Sequence, residues 1–237
     1  MFGDVLQTKL YVPSLRPNLI PRPHLVEKLN QGLQQDCKLT LISAPAGFGK
    51  TTLASAWVHK SNKSAAWLSL EESDNDLHRF LTYFVAAVQT IDGDIGESAL
   101  AALQTPGGVN IEGVLTKLLN EINESTIDMV IVLDDYHVIE SHSIDEAIVF
   151  LLDHLPSQLH LVIASRIDPS LSLSRLRARG QMTEIRAHDL RFSLGETAVF
   201  LNQIVDFDLS DQEVAALGTR TEGWITGLQL AALAMQG

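Results

Sequence analysis

The densest chemistry in the sequence lies in Ala44-Pro45-Ala46-Gly47-Phe48-Gly49-Lys50-Thr51-Thr52, which fits the pattern [AG]-x4-G-K-[ST] with Ala44 in the first position. Gly47 and Gly49 let the backbone curl, so that the N–H groups from Ala46 through Phe48 and on to Thr52 turn inward on one anion. Lys50 is spaced to reach β- and γ-phosphates, and the Thr51 hydroxyl to ligate magnesium. A helix starting at Lys50 directs its positive end at the same place. The cofactors expected are ATP or ADP with Mg2+. The plainer reading is a Gly-rich turn joining a strand to a helix; the buried strand before the motif and the helix after it favour the phosphate site.

A second cluster supports the first. Met129-Val130-Ile131-Val132-Leu133 is an unbroken apolar run ending in Asp134 and Asp135. Asp134 is expected to hold magnesium through water, and Asp135 to act as the catalytic base orienting an attacking water, with Lys50 as the catalytic cation. Alone, the pair would read as a solvated acidic turn. Many NTPases of this kind carry Glu where Asp135 stands, so the shorter side chain predicts slow turnover. Arg166 directly follows the run Leu161-Val162-Ile163-Ala164-Ser165. If that strand is parallel to the others, its C-terminal end delivers Arg166 to the ligand edge. There it would sense the γ-phosphate by charge-assisted hydrogen bonds; the other reading is a surface ion pair. Arg175, Arg177 and Arg179 read as a solvated face, and none of the eight histidines shows metal-ligand spacing. Trp57, Trp67 and Trp224 sit in apolar patterns and read as core.

These groups need a scaffold whose strand ends meet. Strand-like runs at residues 38–43, 65–69, 129–135, 159–165 and 182–185 alternate with helical patterns near residues 24–33, 50–59, 77–90, 111–122 and 144–155. Such alternation predicts an α/β layered domain with a mainly parallel sheet. A Gly/Pro turn is expected at Pro106-Gly107-Gly108. Upstream, Pro13, Pro17, Pro21 and Pro23 keep the first segment extended. After about Arg191 the pattern is helical only, with capping boxes Ser193/Glu196 and Ser210/Glu213 and a last helix near residues 224–235. The expected organisation is an N-terminal arm (1–23), a nucleotide-binding domain (24–190) and a small helical domain (191–237).

Composition narrows the function classes. With 46% hydrophobic and 19% charged residues the chain has ordinary globular composition. The formal net charge of −12 and the lack of a basic run argue against a nucleic-acid surface. One cysteine, Cys37, permits no intrachain disulfide, which fits a cytoplasmic protein. No apolar stretch approaches the roughly 20 residues of a membrane helix.

With these residues identified, the chain resembles the MalT-like group, the large ATP-binding regulators of the LuxR family. The likeness runs through Leu6-Gln7-Thr8-Lys9-Leu10, Arg16-Pro17, Ile20-Pro21-Arg22, the Gly-rich loop, the segment from Val132 to His137, Ala164-Ser165-Arg166-Ile167-Asp168-Pro169, Asp189-Leu190-Arg191-Phe192-Ser193 and Glu222-Gly223-Trp224. Members are STAND-class relatives of the AAA+ proteins. The resemblance implies a five-stranded P-loop domain in a three-layer sandwich, a small helical domain, and ATP/ADP acting as a switch that governs self-association. It implies that Ile20 and Arg22 line the adenine and phosphate side of the pocket, against the plainer reading of Arg22 as a surface charge flanking a helix. Related proteins often carry Gly-x-Pro in the helical domain; no such triplet follows Arg191, so no lid residue is assigned. The family's sensor and DNA-binding helix-turn-helix have no counterpart here. The chain therefore reads as part of a longer regulator that does not itself bind DNA or membrane. A stand-alone AAA+-like ATPase and a degenerate nucleotide-binding protein are the competing readings.

Overall fold

The computed structural model describes residues 5–105 and 110–236; the expected turn at Pro106-Gly107-Gly108 lies outside them. Five strands, β1 (Leu39–Ser43), β2 (Ser64–Ser69), β3 (Met129–Asp134), β4 (Leu159–Ser165) and β5 (Met182–Arg186), form one parallel sheet in the order β2-β3-β4-β1-β5. All residues of β1, β3 and β4 are buried. Burial on both faces is why those runs are mostly apolar instead of alternating.

Alternate residues still serve different layers. Leu41, Ile131, Leu133, Leu161 and Ile163 face α3 (Leu77–Gln89), α5 (Ile111–Glu124) and α6 (His142–His154) in one core. Ile42, Val130, Val132, Val162 and Ala164 face α1 (Pro23–Gln34) and α2 (Lys50–Lys60) in the other. Trp57 and Trp67 are fully buried in this second core, their indole N–H groups donating to Asn30 Oδ1 and Ser69 Oγ. The sheet is therefore the middle of three layers.

Two short helices, α4 (Glu97–Leu103) and α7 (Leu173–Ala178), are additions to the pattern expected from sequence. Past β5 come α8 (Ala187–Leu190), α9 (Leu194–Ala198, widening into a π turn over Val199–Ile204), α10 (Asp211–Thr221) and α11 (Ile225–Gln236). Both capping boxes form, with Ser193 and Ser210 accepting from the N–H groups of Glu196 and Glu213. These helices enclose a separate apolar cluster of Phe200, Leu201, Val214, Leu228 and Ala232, which Ile20 joins from the N-terminal segment.

The first segment is not wholly extended. Gln7–Leu10 makes a 3-10 turn that buries Lys9 against Asp74, 4.4 Å above the Tyr83 ring. The lysine's desolvation is compensated by that ion pair and by Glu71 at 3.3 Å. The segment then crosses α2, where Ser55 donates its hydroxyl proton to the Pro13 carbonyl, and arrives at Ile20 and Arg22.

Candidate functional site

Parallel pairing sends the C-terminal ends of β1, β3 and β4 to one edge, and β4 lies between the other two. That order gathers the Gly-rich loop, the two carboxylates and Arg166 beside one cavity of about 380 Å³. Its walls include residues 46–53, Asp135 and Arg166 on the sheet side, Ile20, Arg22, Leu25 and Val26 from the N-terminal part, and Phe192, Ile225 and Thr226 from the helical part.

The loop turns its donors toward that space. Gly47 and Gly49 adopt φ of 77° and 82°, left-handed conformations that only glycine enters without steric cost. Among the described residues, the backbone N–H groups of residues 46–52 donate to no protein acceptor. Helix α2 begins at Lys50, so its orphan N–H groups extend the same donor surface. Ala46, Gly47 and Thr52 are exposed and Phe48, Gly49 and Thr51 half-buried, so water or an anion can reach these N–H groups. The Lys50 ammonium is buried and donates to the Pro45 carbonyl at 3.1 Å. Burial pushes its pKa down from the usual lysine value; Asp135 and Asp134 oppose this, and Arg166 adds to it.

Asp134 ends β3 at 3% exposure. Its Oδ1 accepts from the Thr51 hydroxyl at 3.1 Å and from the Asp135 N–H at 3.1 Å. Among the described residues Oδ2 accepts no hydrogen bond. Burial raises the carboxyl pKa to about 6, with the Asp135 charge adding and the Thr51 bond opposing. A carboxylate held where its charge is poorly solvated, beside a hydroxyl oxygen, is a fitting place for a hard divalent cation. No cluster of three or more His, Cys, Asp or Glu side chains suited to a metal exists among the described residues.

Asp135 takes φ 57°, a left-handed conformation that Asp tolerates better than most residues. Tyr136, buried behind it, donates its hydroxyl to Asp145 at 2.8 Å and fixes the turn. The bend turns Asp135 into the cavity. It also brings His137 Nδ1 to 3.7 Å from the Asp135 carboxylate. That Nδ1 is buried without a partner, and burial, together with the Arg166 charge, depresses the imidazole pKa. His137 thus stands beside Asp135, just outside the cavity lining, although its spacing to any other histidine gave no signal; its position two residues beyond Asp135 was the available clue.

Arg166 is exposed, lines the cavity and has no ion-pair partner among the described residues. Arg177 pairs with Glu184 at 2.8 Å and Asp168 at 3.5 Å, in a network with Arg186. Asp168 also accepts from Ser43 Oγ at 2.9 Å. This lattice ties the loop after β4 to the ends of β1 and β5 and sets the base of Arg166. Arg175 pairs with Asp153, so neither arginine is simply solvated.

Arg22 also lines the cavity, but most of its guanidinium is committed elsewhere. It donates to Glu196 at 2.8 Å and to the carbonyls of Leu190, Asp189 and Arg191 at 2.7, 3.0 and 2.8 Å. It stacks 5.1 Å from the Phe192 ring. Its main effect is to clamp the N-terminal segment to the start of the helical part. Trp224, expected in a core, is instead at the loop: its indole N–H donates to the Ala46 carbonyl at 3.2 Å, and Thr226 Oγ1 donates to the Gly47 carbonyl at 3.0 Å. The helical part therefore reaches the phosphate loop without a Gly-x-Pro triplet. The turn Glu222-Gly223, both at positive φ, aims Trp224 there.

A five-stranded parallel sheet carrying this loop and strand-end carboxylates defines a P-loop nucleotide-binding domain. Residues 22–164 match the AAA ATPase domain family, and the chain belongs to that family. It is 36% identical over 229 residues to the HTH-type transcriptional regulator MalT of Yersinia pestis and of Yersinia enterocolitica, a match spanning 97% of this chain and 25% of the relative. The chain thus spans about a quarter of the length of those relatives. In fold it is similar to Cdc6p from Pyrobaculum aerophilum, with TM-score 0.52, 18% identity, and coverage of 83% of this chain and 50% of that one. It is also similar to a Walker-type ATPase of Pyrococcus abyssi, with TM-score 0.54, 13% identity, and coverage of 96% and 69%. No helix among the described residues is long and apolar enough to cross a membrane.

Proposed function

We propose that this chain is the ATP/ADP-binding switch module of a MalT-like transcriptional regulator, binding Mg-ATP and hydrolysing it slowly to control self-association in the cytoplasm. The observation that carries the reading is the row of unpaired N–H groups at residues 46–52, which line one cavity with Lys50 and Asp135, and with Asp134 held behind Thr51. The loop N–H groups and Lys50 bind the phosphates; Ile20, Leu25 and Phe192 offer apolar surface to a base. Thr51 and Asp134 would hold the magnesium, whose contribution when bound is to neutralise phosphate charge. Asp135 accepts a proton from the attacking water, His137 orients Asp135, and Arg166 contacts the terminal phosphate. An arm (1–23), a nucleotide domain (24–190) and a helical domain (191–237) are the units we assign to this switch, with the clamp of Arg22 on residues 189–191 as their joint.

The regulatory part of the reading rests on the relatives' description as HTH-type transcriptional regulators and on a match that runs through almost the whole chain. The acidic balance supports leaving DNA contact to other parts of such a regulator. The test is nucleotide retention: the purified chain should carry ADP or ATP, and Lys50→Ala should lose it, with affinity down at least about 100-fold by calorimetry. Wild-type stoichiometry in the variant would overturn the site. Turnover of many per second by the isolated chain would overturn the switch.

A further inference from the structure

We infer that Trp224 and Thr226 are positioning residues for the phosphate loop: they hold two of its carbonyls from behind and so aim two of its N–H groups at the nucleotide. The inference rests on the nucleotide-binding reading above and adds residues from outside the sheet to that site.

Peptide geometry couples these carbonyls to the N–H groups that follow them. In a planar trans peptide the carbonyl of one residue and the N–H of the next point in opposite directions. The Ala46 carbonyl faces the Trp224 indole N–H at 3.2 Å, so the Gly47 N–H is turned away from Trp224. The Gly47 carbonyl faces the Thr226 hydroxyl at 3.0 Å, so the Phe48 N–H is turned away from Thr226. Neither N–H meets a protein acceptor among the described residues, and both residues line the cavity. The loop's glycines, chosen for freedom at positive φ, make its peptide planes easy to flip, so an external restraint is effective here. Two other loop acceptors are restrained from within: Pro45 by Lys50 at 3.1 Å and Gly49 by the Leu53 N–H at 2.8 Å.

The contact is close as well as polar. A Cβ added to Gly47 would lie 2.4 Å from Thr226 Oγ1 and 2.8 Å from Trp224 Nε1. Gly223, at φ 70°, is itself fixed: its carbonyl accepts from the Phe192 N–H at 2.8 Å, and a Cβ there would strike the Phe192 backbone. Trp224 is thus presented by a rigid turn that starts α11, and the helical part reads the shape of the loop directly. Trp57 and Trp67 are fully buried with their own acceptors, which makes Trp224 the tryptophan whose emission should respond to the loop.

The test uses the whole chain with ADP and with ATP as probes. Thr226→Val removes one donor with little change in shape; Trp224→Phe removes the other donor and keeps an aromatic ring. One hydrogen bond of about 1 kcal/mol corresponds to roughly a 5-fold weaker affinity for each variant, and to about 25-fold for the pair if they act independently. Thr226→Ser keeps the hydroxyl and should recover most of the affinity, which a purely packing role for the threonine methyl would not give. ADP should shift wild-type tryptophan emission and leave that of Trp224→Phe unmoved. Thermal melts verify that each variant is folded. Unchanged affinity in the folded double variant, with Lys50→Ala still losing nucleotide, overturns the positioning role alone. Tighter binding in the variants also overturns it, since the contact would then oppose binding. A wild-type chain that binds neither nucleotide overturns the nucleotide reading and this inference together.

Discussion

The two ends of the sheet treat their polar groups in opposite ways. At the N-terminal ends of the strands, His160 lies inside β4 with both ring nitrogens engaged: Nε2 with the Thr40 hydroxyl at 2.8 Å and Nδ1 with the Cys37 carbonyl at 2.7 Å. Lys38 likewise donates to the Leu152 and Asp153 carbonyls at the end of α6. At the C-terminal ends, the N–H groups of residues 46–52, one oxygen of Asp134 and Nδ1 of His137 lack protein partners. Buried polar groups are normally satisfied. One edge is therefore closed by the chain itself, and the other leaves donors and acceptors open to solvent or to a ligand in the cavity. That contrast, more than the presence of any one motif residue, marks the ligand edge.

The sharpest way to break the contrast is chemical. Asp135→Asn preserves a side chain that tolerates the left-handed conformation but removes the base. Turnover should fall by at least about 100-fold while ADP affinity stays within a few-fold. Single-turnover phosphate release measures it; turnover within a factor of three of wild type would leave Asp135 without the assigned role.

Next come opposite responses to charge. Burial lowers the His160 pKa to about 4 from 6.5, so the unfolded chain takes up a proton first as pH falls. The stability tied to its neutral form is fully present above pH 6.5 and is lost on the way down to pH 4, about 3 kcal/mol in all. His160→Gln should flatten that acid loss in urea titrations. Asp134 has the reverse sign. Its pKa is raised from 3.8 to about 6, so the fold favours the protonated form, and stability declines as pH rises through 6. Asp134→Asn should therefore make the nucleotide-free protein more stable at pH 7.5 by up to about 3 kcal/mol, with the gain fading below pH 4. It should also cost Mg2+-dependent nucleotide binding. A variant destabilised at pH 7.5 would mean that Asp134 belongs with the satisfied edge.

The same contrast explains what sequence could reveal. The loop, Lys50, Thr51, the strand-end position of Asp134 and Arg166 and the two capping boxes are local patterns, and each stands where its spacing placed it. Strand order is not local: nothing in residues 159–165 says that β4 inserts between β1 and β3, which is what brings Arg166 near Lys50. Trp224 misled for a related reason. Its apolar neighbours resemble a core helix, yet Glu222 and Gly223 at positive φ redirect it to a partner 178 residues away in sequence. The arm shows a third case, because the Pro-rich composition hides a 3-10 turn whose stability comes from Asp74.

The smallest expected effect is also the most controlled, since one substitution can be made at both edges. Thr40→Val removes the hydroxyl facing His160 Nε2 in a closed network. It should cost about 1–2 kcal/mol of stability, because Thr40 and His160 are both buried, and should leave nucleotide affinity unchanged. Thr51→Val removes the hydroxyl bonded to Asp134 beside an open cavity. Water can take the vacated place, so the stability loss should be the smaller of the two, while affinity for Mg-ATP drops about 5- to 10-fold and affinity measured in EDTA drops less. Denaturant midpoints and calorimetry with and without Mg2+ separate the cases. Equal stability losses with no change in the Mg2+ dependence would show that the two threonines do the same structural job, and the division between a finished edge and an open one would not hold.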